Sequence, residues 1–204
     1  MPQLVSALAQ ARSIFAKHRG PLRTSDALRL GIHPRTLYQL RDSAEIEQIG
    51  RGLYRLASDQ GLSNPDWIVI AARAPKAVFC VISALAYYRL TTQVPHKIDI
   101  AIPSHAQLPR IDGLPIRAFW YPDASLAAGV ETVKIDGVGV RVFSAEKTIA
   151  DCFKYRNKLG LDVAIEALRM YRERNGRKGM KSIIQFAEVD RVKQIILPYI
   201  EAIL

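Results

Sequence analysis

Residues 34–43 combine hydrogen-bonding side chains on one side with apolar side chains on the other. At ~100° per residue of an α-helix, Leu37 and Leu40 share one face and the polar side chains lie opposite. Arginine, threonine, tyrosine and glutamine offer donors that match the base edges of the DNA major groove. The first turn of such a helix enters the groove deepest. The sequence therefore predicts DNA contacts from this face and its flank, by Arg35, Thr36, Tyr38 and Gln39.

The elements before this segment follow the order expected of a winged helix-turn-helix. Residues 3–18 have apolar side chains at helical spacing, which predicts a first helix. A second, short helix is predicted from Thr24 or Ser25 to about Leu30. Gly31 suits the left-handed backbone position that closes this helix. The third helix, with the polar face, then follows after a short turn.

A β-hairpin is predicted after the third helix. Residues 45–49 and 53–56 have strand character and flank a Gly-Arg-Gly turn at residues 50–52. Arg51, at the tip of this wing, is expected to bind phosphate or to enter the minor groove, with Arg55 in support.

Charge is concentrated in two parts of the chain, which has 204 residues and a net charge of +10. Residues 1–57 contain nine basic and four acidic side chains, and residues 169–181 contain six basic and one acidic. The remaining residues are balanced. Two basic regions on a neutral body favour a polyanionic partner.

The second basic region leaves three interpretations open. It could extend the DNA-binding surface by contacting backbone phosphates, it could dock an acidic protein or an RNA, or it could be a solvated helix face. The first interpretation predicts further DNA contacts from Arg169, Arg172, Arg177 and Lys178.

The chain is predicted to contain two domains. Residues 1–57 form the winged helix-turn-helix, residues 58–65 are a polar linker, and residues 66–204 form a mixed α+β domain. The predicted fold class is α+β. The expected strands of the second domain are residues 97–102, 116–121, 130–135 and 138–143, the last two joined by an Asp-Gly turn.

The sequence predicts no catalytic residue, metal site or cofactor. Asp99 lies on a predicted strand, but Ala101 stands where a metal-binding carboxylate pair would need its second member. His96 and His105 are interpreted as solvated or capping groups, and Cys152 as a buried structural thiol. With no signal peptide and no apolar segment of ~20 residues, a cytoplasmic protein without a membrane span is expected.

Several segments resemble a known family. Thr24–Leu40 and Ile46–Leu56 resemble the N-terminal domain of AbiEi-type antitoxins, which are bacterial regulators from abortive-infection and related toxin–antitoxin operons. Val81–Leu90, His96–Pro103 and Ser144–Phe153 are similar to the C-terminal domain of that family.

The resemblance implies a repressor that binds double-stranded DNA, at inverted repeats upstream of its own operon. It also implies a C-terminal domain that counteracts a nucleotidyltransferase-like toxin. The DNA-contacting helix of the family corresponds to Arg35–Arg41 and its wing to Gly50–Leu56.

The sequence therefore predicts a non-enzymatic, DNA-binding antitoxin. One alternative is a protein- or RNA-binding module without specific DNA recognition. A second alternative is an RNA-modifying or nucleotide-transferring enzyme that depends on Asp99. Binding as a stable dimer and binding as cooperative monomers are both compatible with inverted repeats.

Overall fold

The computed structural model describes residues 2–18, 20–59 and 61–203, with side chains from residue 7 onward. Helices and sheets are both present, so the predicted α+β class is confirmed. The chain forms two compact units, one of Met1–Pro75 with Lys134–Val140 and the other of Lys76–Val133 with Arg141–Leu204.

The first unit contains three helices, a small antiparallel sheet and a fourth helix in its described part. The sheet has the strand order β1-β3-β2. The elements are α1 (Pro2–His18), β1 (Leu22–Arg23), α2 (Thr24–Arg29), α3 (Pro34–Asp42), β2 (Ile46–Gly50), β3 (Leu53–Leu56) and α4 (Pro65–Arg73).

The core of this unit forms where the apolar sides of the helices meet the sheet. Leu37 and Leu40 of α3 are fully buried, as their helical spacing predicts, and they belong to one cluster with Phe15 of α1 and Leu22 of β1. Burying such a side chain contributes about 1.5–3 kcal/mol relative to leaving it in water. This packing fixes which side of α3 remains in solvent.

Helix α4 lies in the first unit, although the predicted linker at residues 58–65 assigned it to the second domain. Its residues 67–70 are all buried, so the helix is covered on more than one side. Val69 lies against β2, where a Cβ atom on Gly50 would come within 3.3 Å of Val69 Cγ2. The first unit consequently extends to Pro75, because α4 follows the polar segment 58–65 and packs on β2 through Val69.

The second unit is built on a five-stranded sheet with helices packed against it. Strand β4 is parallel to β8 and antiparallel to β5, and β5 is parallel to β6, which gives the order β6-β5-β4-β8-β7. The elements are β4 (Val78–Phe79), α5 (Val81–Tyr87), β5 (Ile98–Pro103), β6 (Ile116–Tyr121), α6 (Asp123–Ala127), β7 (Val130–Ile135), β8 (Val138–Phe143), α7 (Ala145–Lys154), α8 (Arg156–Leu159), α9 (Leu161–Asn175), α10 (Met180–Val189) and α11 (Lys193–Ile203).

A buried ion network crosses the core of the second unit. Lys147 of α7 is completely buried, and its ammonium group donates to Asp151 one helical turn later and to Asp190 Oδ2 at 2.8 Å. Asp190 also accepts hydrogen bonds from Ser125 and, at 3.2 Å, from Lys154. The network therefore joins α7 to α6 and to the end of α10.

The two carboxylates of this network differ in their protonation. Burial raises the pKa of Asp151 to about 8, with a further increase from the nearby Asp190 charge, although Lys147 opposes both effects. Asp151 Oδ2 has no hydrogen-bond partner among the described residues. Burial also opposes ionisation of Asp190, but the charge and hydrogen bonds of Lys147 outweigh it and lower the pKa of Asp190. Asp190 is therefore the preferred ionic partner of Lys147.

Replacing Lys147 by methionine should destabilise the second unit strongly. The substitution keeps the length of the side chain but removes the buried cation that bonds to both aspartates, and it leaves the Asp190 carboxylate with only Lys154 as a charged partner among the described residues. Removing one partner of a buried ion pair costs about 3–5 kcal/mol in comparable networks. Chemical denaturation measures the loss. Lys193→Met, at a lysine paired with Glu188 nearer the surface, is the control and should cost less than about 1 kcal/mol. Equal losses in both variants would contradict a special role for the buried network.

The free energy of unfolding should decrease as the pH rises from about 4 to about 8. In the unfolded chain Asp151 ionises near 3.8, whereas in the fold it keeps its proton to about pH 8, so the folded state binds more protons over that interval. Asp151→Asn should flatten this dependence in denaturation curves, and Asp112→Asn, at an exposed position, should leave it unchanged. Parallel curves for wild type and Asp151→Asn would show that Asp151 ionises normally.

Candidate nucleic-acid interface

The polar face of α3 is presented to solvent, as the sequence predicts. Arg35, Tyr38 and Gln39 are exposed and Thr36 is half-buried. The backbone N–H of Arg35 donates to Nδ1 of His33 at 3.2 Å, which caps the start of the helix. The first turn of α3, which contains Arg35 and Thr36, is therefore held in place by a cap as well as by the buried leucines.

Arg41, at the end of α3, is engaged within the helix. Its guanidinium donates to Asp42 Oδ1 at 2.7 and 2.9 Å, and the hydrogen bond to Asp42 raises the pKa of Arg41. The same guanidinium lies 5.0 Å from the centre of the Tyr38 ring. Tyr38 is thus exposed with the Arg41 cation over its ring, and Arg41 also compensates the negative charge of Asp42.

The hairpin turn is attached to the start of α2. The backbone N–H and the hydroxyl of Thr24 both donate to the carbonyl of Gly52, at 2.9 and 3.3 Å. Gly52 has a φ of +68°, a conformation that favours glycine. Arg51 precedes it at the exposed tip of the hairpin, as predicted.

Arg55 differs from Arg51, although the sequence grouped the two as wing residues. Arg55 lies opposite Glu47 on the neighbouring strand and its guanidinium donates to that carboxylate. Its side chain is 12% exposed. Arg55 stabilises the pairing of β2 with β3, so any contribution to binding through the wing would be indirect.

Every acidic residue of segment 1–57 forms an ion pair with an arginine of the same segment. The Arg12–Glu45 pair lowers the pKa of Glu45, mainly through the hydrogen bond from the guanidinium. The pairs are Asp26–Arg29, Asp42–Arg41, Glu45–Arg12 and Glu47–Arg55.

This pairing determines which cations remain uncompensated. Arg35 and Arg51 are exposed and have no ion pair among the described residues. Both were predicted from the sequence as DNA contacts. Lys17 and Arg23 likewise have no ion pair among the described residues. Arg35 and Arg51 therefore place part of the excess positive charge of this segment on the first turn of α3 and on the hairpin tip. A surface of this kind attracts a polyanion.

The second basic region lies on α9 and on its turn to α10, in the second unit. Arg169, Arg177 and Lys178 are exposed. Arg172 is half-buried, and its Nε is buried without a hydrogen-bond partner among the described residues. Arg174 donates to the carbonyl of Tyr88 at 3.0 Å. Part of this cluster therefore has structural contacts, and three of the four predicted residues are available to a partner.

The residues considered for catalysis or metal binding do not form a reactive site among the described residues, because they are buried, bound by other side chains or far from one another. Asp99 is fully buried and accepts two hydrogen bonds from Arg117, at 2.7 and 2.9 Å. Burial raises the thiol pKa of Cys80 and Cys152 well above its ordinary value. No group of three or more histidine, cysteine or acidic side chains with the arrangement of a metal site occurs among residues 2–18, 20–59 and 61–203. Over the same residues, no helix has the length and apolar character of a membrane span.

Comparisons with known proteins support the predicted resemblance. Residues 10–57 match the family model described as "Transcriptional regulator, AbiEi antitoxin", so the resemblance to this family is confirmed over the part of the chain that contains α3 and the hairpin. The fold is similar to the crystal structure of RV2827C protein from Mycobacterium tuberculosis, with a TM-score of 0.54 and 13% sequence identity, covering 95% of this chain and 81% of that chain. At this identity the similarity shows the fold alone. No curated protein matches the chain.

Proposed function

We propose that the protein is a DNA-binding transcriptional regulator of the AbiEi antitoxin type. Residues 1–57 would act as a winged helix-turn-helix, with α3 in the major groove and the β2–β3 hairpin as the wing. The observation that supports this most is the uncompensated charge of the exposed Arg35 and Arg51, on the first turn of α3 and on the hairpin tip, whereas each acidic residue of this segment is paired with another arginine. The family match over residues 10–57 supports the same assignment.

Within this proposal the side chains of α3 have separate roles. Arg35, Thr36 and Gln39 in the first turns contact base edges, and Tyr38 contributes from the exposed side of the helix. Arg51 binds a phosphate or enters the minor groove beside the wing, while Arg55 supports the hairpin through Glu47. The exposed cations Arg169, Arg177 and Lys178, with Arg172, add attraction for phosphates.

The biological role proposed is autoregulation. The protein would repress its own toxin–antitoxin operon from inverted repeats upstream, acting in the cytoplasm. The second unit would counteract a nucleotidyltransferase-like toxin encoded nearby. This part of the proposal rests on the family resemblance.

The wild-type protein should prefer DNA from upstream of its own reading frame to a scrambled duplex by about 1,000-fold or more at physiological salt. Fluorescence anisotropy titrations with both duplexes at several salt concentrations measure this preference. A linear decrease of log affinity with log salt is expected on each duplex, because phosphate contacts release counterions. Weak binding without sequence preference would contradict the proposal and favour a protein- or RNA-binding module.

Arg35→Ala should weaken binding to the upstream duplex by about 1–3 kcal/mol and change binding to the scrambled duplex little, because a base contact distinguishes sequences. Arg29→Ala on the preceding helix is the matched control, since it removes the same charge from an arginine already paired with Asp26. Equal losses on the two duplexes would make Arg35 a phosphate contact. Equal losses in the two variants would make the effect one of net charge.

A further inference from the structure

A cleft of about 310 Å³ in the first unit is lined by arginines from three separate elements. Arg23 precedes α2, Arg51 is at the hairpin tip, and Arg73 ends α4. Thr24 and Ser25 also line the cleft, and none of the described lining residues is acidic or aromatic. Sequence reasoning identified Arg51 alone among these arginines.

Backbone contacts hold two sides of the cleft together. Arg23 pairs with Leu53 in the antiparallel register of β1 and β3, which brings the start of α2 beside the hairpin turn. The two hydrogen bonds from Thr24 to the carbonyl of Gly52 fix the turn in this position. Main-chain contacts therefore fix the position of the hairpin turn that contains Arg51.

Helix α4 provides the third side. Its Val69 lies against Gly50 of β2, and Arg23 donates to the carbonyl of Ala71 at 3.4 Å near the C-terminal end of the helix. These contacts bring Arg73 to the cleft. Arg73 lies outside residues 10–57, so the family match does not include it.

The charges of the cleft are uncompensated. Neither Arg51 nor Arg73 has an ion pair among the described residues, and both are exposed. Arg23 gives one hydrogen bond to a neutral carbonyl, which leaves further donors of its guanidinium and its whole charge available. Three guanidinium groups repel one another, and an anion with several oxygens would remove that repulsion while accepting their hydrogen bonds.

We infer that this cleft binds a backbone phosphate of duplex DNA, so that α4 is part of the DNA-binding surface. The inference rests on the proposed function and adds Arg23 and Arg73 to it. A phosphate fits the fork geometry of the guanidinium groups. The cleft has no aromatic side chain on which a nucleotide base could stack, which favours a phosphate within a DNA backbone over a free nucleotide.

Salt titrations of Arg51→Ala, Arg73→Ala and the double variant test the inference. Each substitution should weaken binding to the two duplexes by the same factor. The double variant should reduce the log–log salt slope by ~0.9, the value for one lost phosphate contact, and each single variant should reduce it by part of that amount. Arg110→Ala, at an exposed arginine of the second unit, removes the same charge and is the control. Thermal unfolding of each variant verifies that the first unit is folded. A slope for Arg73→Ala that equals those of wild type and Arg110→Ala would overturn the inference.

A scan of the upstream duplex with single methylphosphonates locates the contact. At one position, replacing the phosphate by a neutral methylphosphonate should weaken DNA binding by the wild type. The same methylphosphonate should not weaken DNA binding by the Arg51→Ala, Arg73→Ala double variant any further. If no position shows this coupling, the cleft does not bind DNA. Should inorganic phosphate stabilise the wild type but not the double variant, while both bind DNA equally, the cleft is a free-anion site and the inference is likewise overturned.

Failure of the cleft inference can be distinguished from failure of the proposed function. If the wild type binds both duplexes alike, specific recognition through α3 fails, whatever the arginine variants show. If the wild type prefers its upstream DNA and the salt slope does not respond to Arg73, the cleft fails alone.

Discussion

Ion pairing between arginines and carboxylates of the same segment determines the charge that the first unit presents to solvent. Residues 1–57 contain four acidic side chains, and each is bound by an arginine other than Arg35 and Arg51. Such exposed pairs contribute little to stability, typically less than about 1 kcal/mol. Their larger effect is on the distribution of charge, because they involve other arginines and leave Arg35 on α3 and Arg51 on the hairpin tip as exposed, uncompensated cations.

The second unit depends on charge in a different way. Lys147 lies in an apolar core, where it is paired with ionised Asp190 and donates a hydrogen bond to Asp151, so an interaction with a high desolvation cost is retained inside the fold. A hydrophobic core of the same volume could be equally stable. The network instead fixes the position of α7 relative to α10, since displacing either helix would leave a buried charge without its partner. The two units thus use ionic contacts for different ends, the first to distribute surface charge and the second to specify packing.

Local signals in the sequence were sufficient where the structure depends on neighbouring residues. The spacing of Leu37 and Leu40 predicted the exposed face of α3, and the Asp136-Gly137 pair predicted the turn between β7 and β8, where both residues have positive φ. Tertiary features were missed. Strand β4 is two residues long and too short to show alternation, and the pairing of Arg55 with Glu47 depends on strand register. The place of Arg73 follows from the packing of α4 on β2, which no periodicity in the sequence encodes.

A surface of unpaired arginines also links binding to stability. The repulsion among Arg23, Arg51 and Arg73 acts in the unbound fold and weakens as salt screens it, so the isolated first unit bears a small electrostatic cost at low ionic strength. A bound polyanion removes that cost and stabilises the folded state by mass action. The main-chain contacts of Thr24 with Gly52 and the packing of Val69 on Gly50 oppose the repulsion, because they hold the three elements in place without help from the arginines. The backbone of the cleft is therefore organised in the unbound protein, and the proposed binding of a phosphate would cost little backbone entropy.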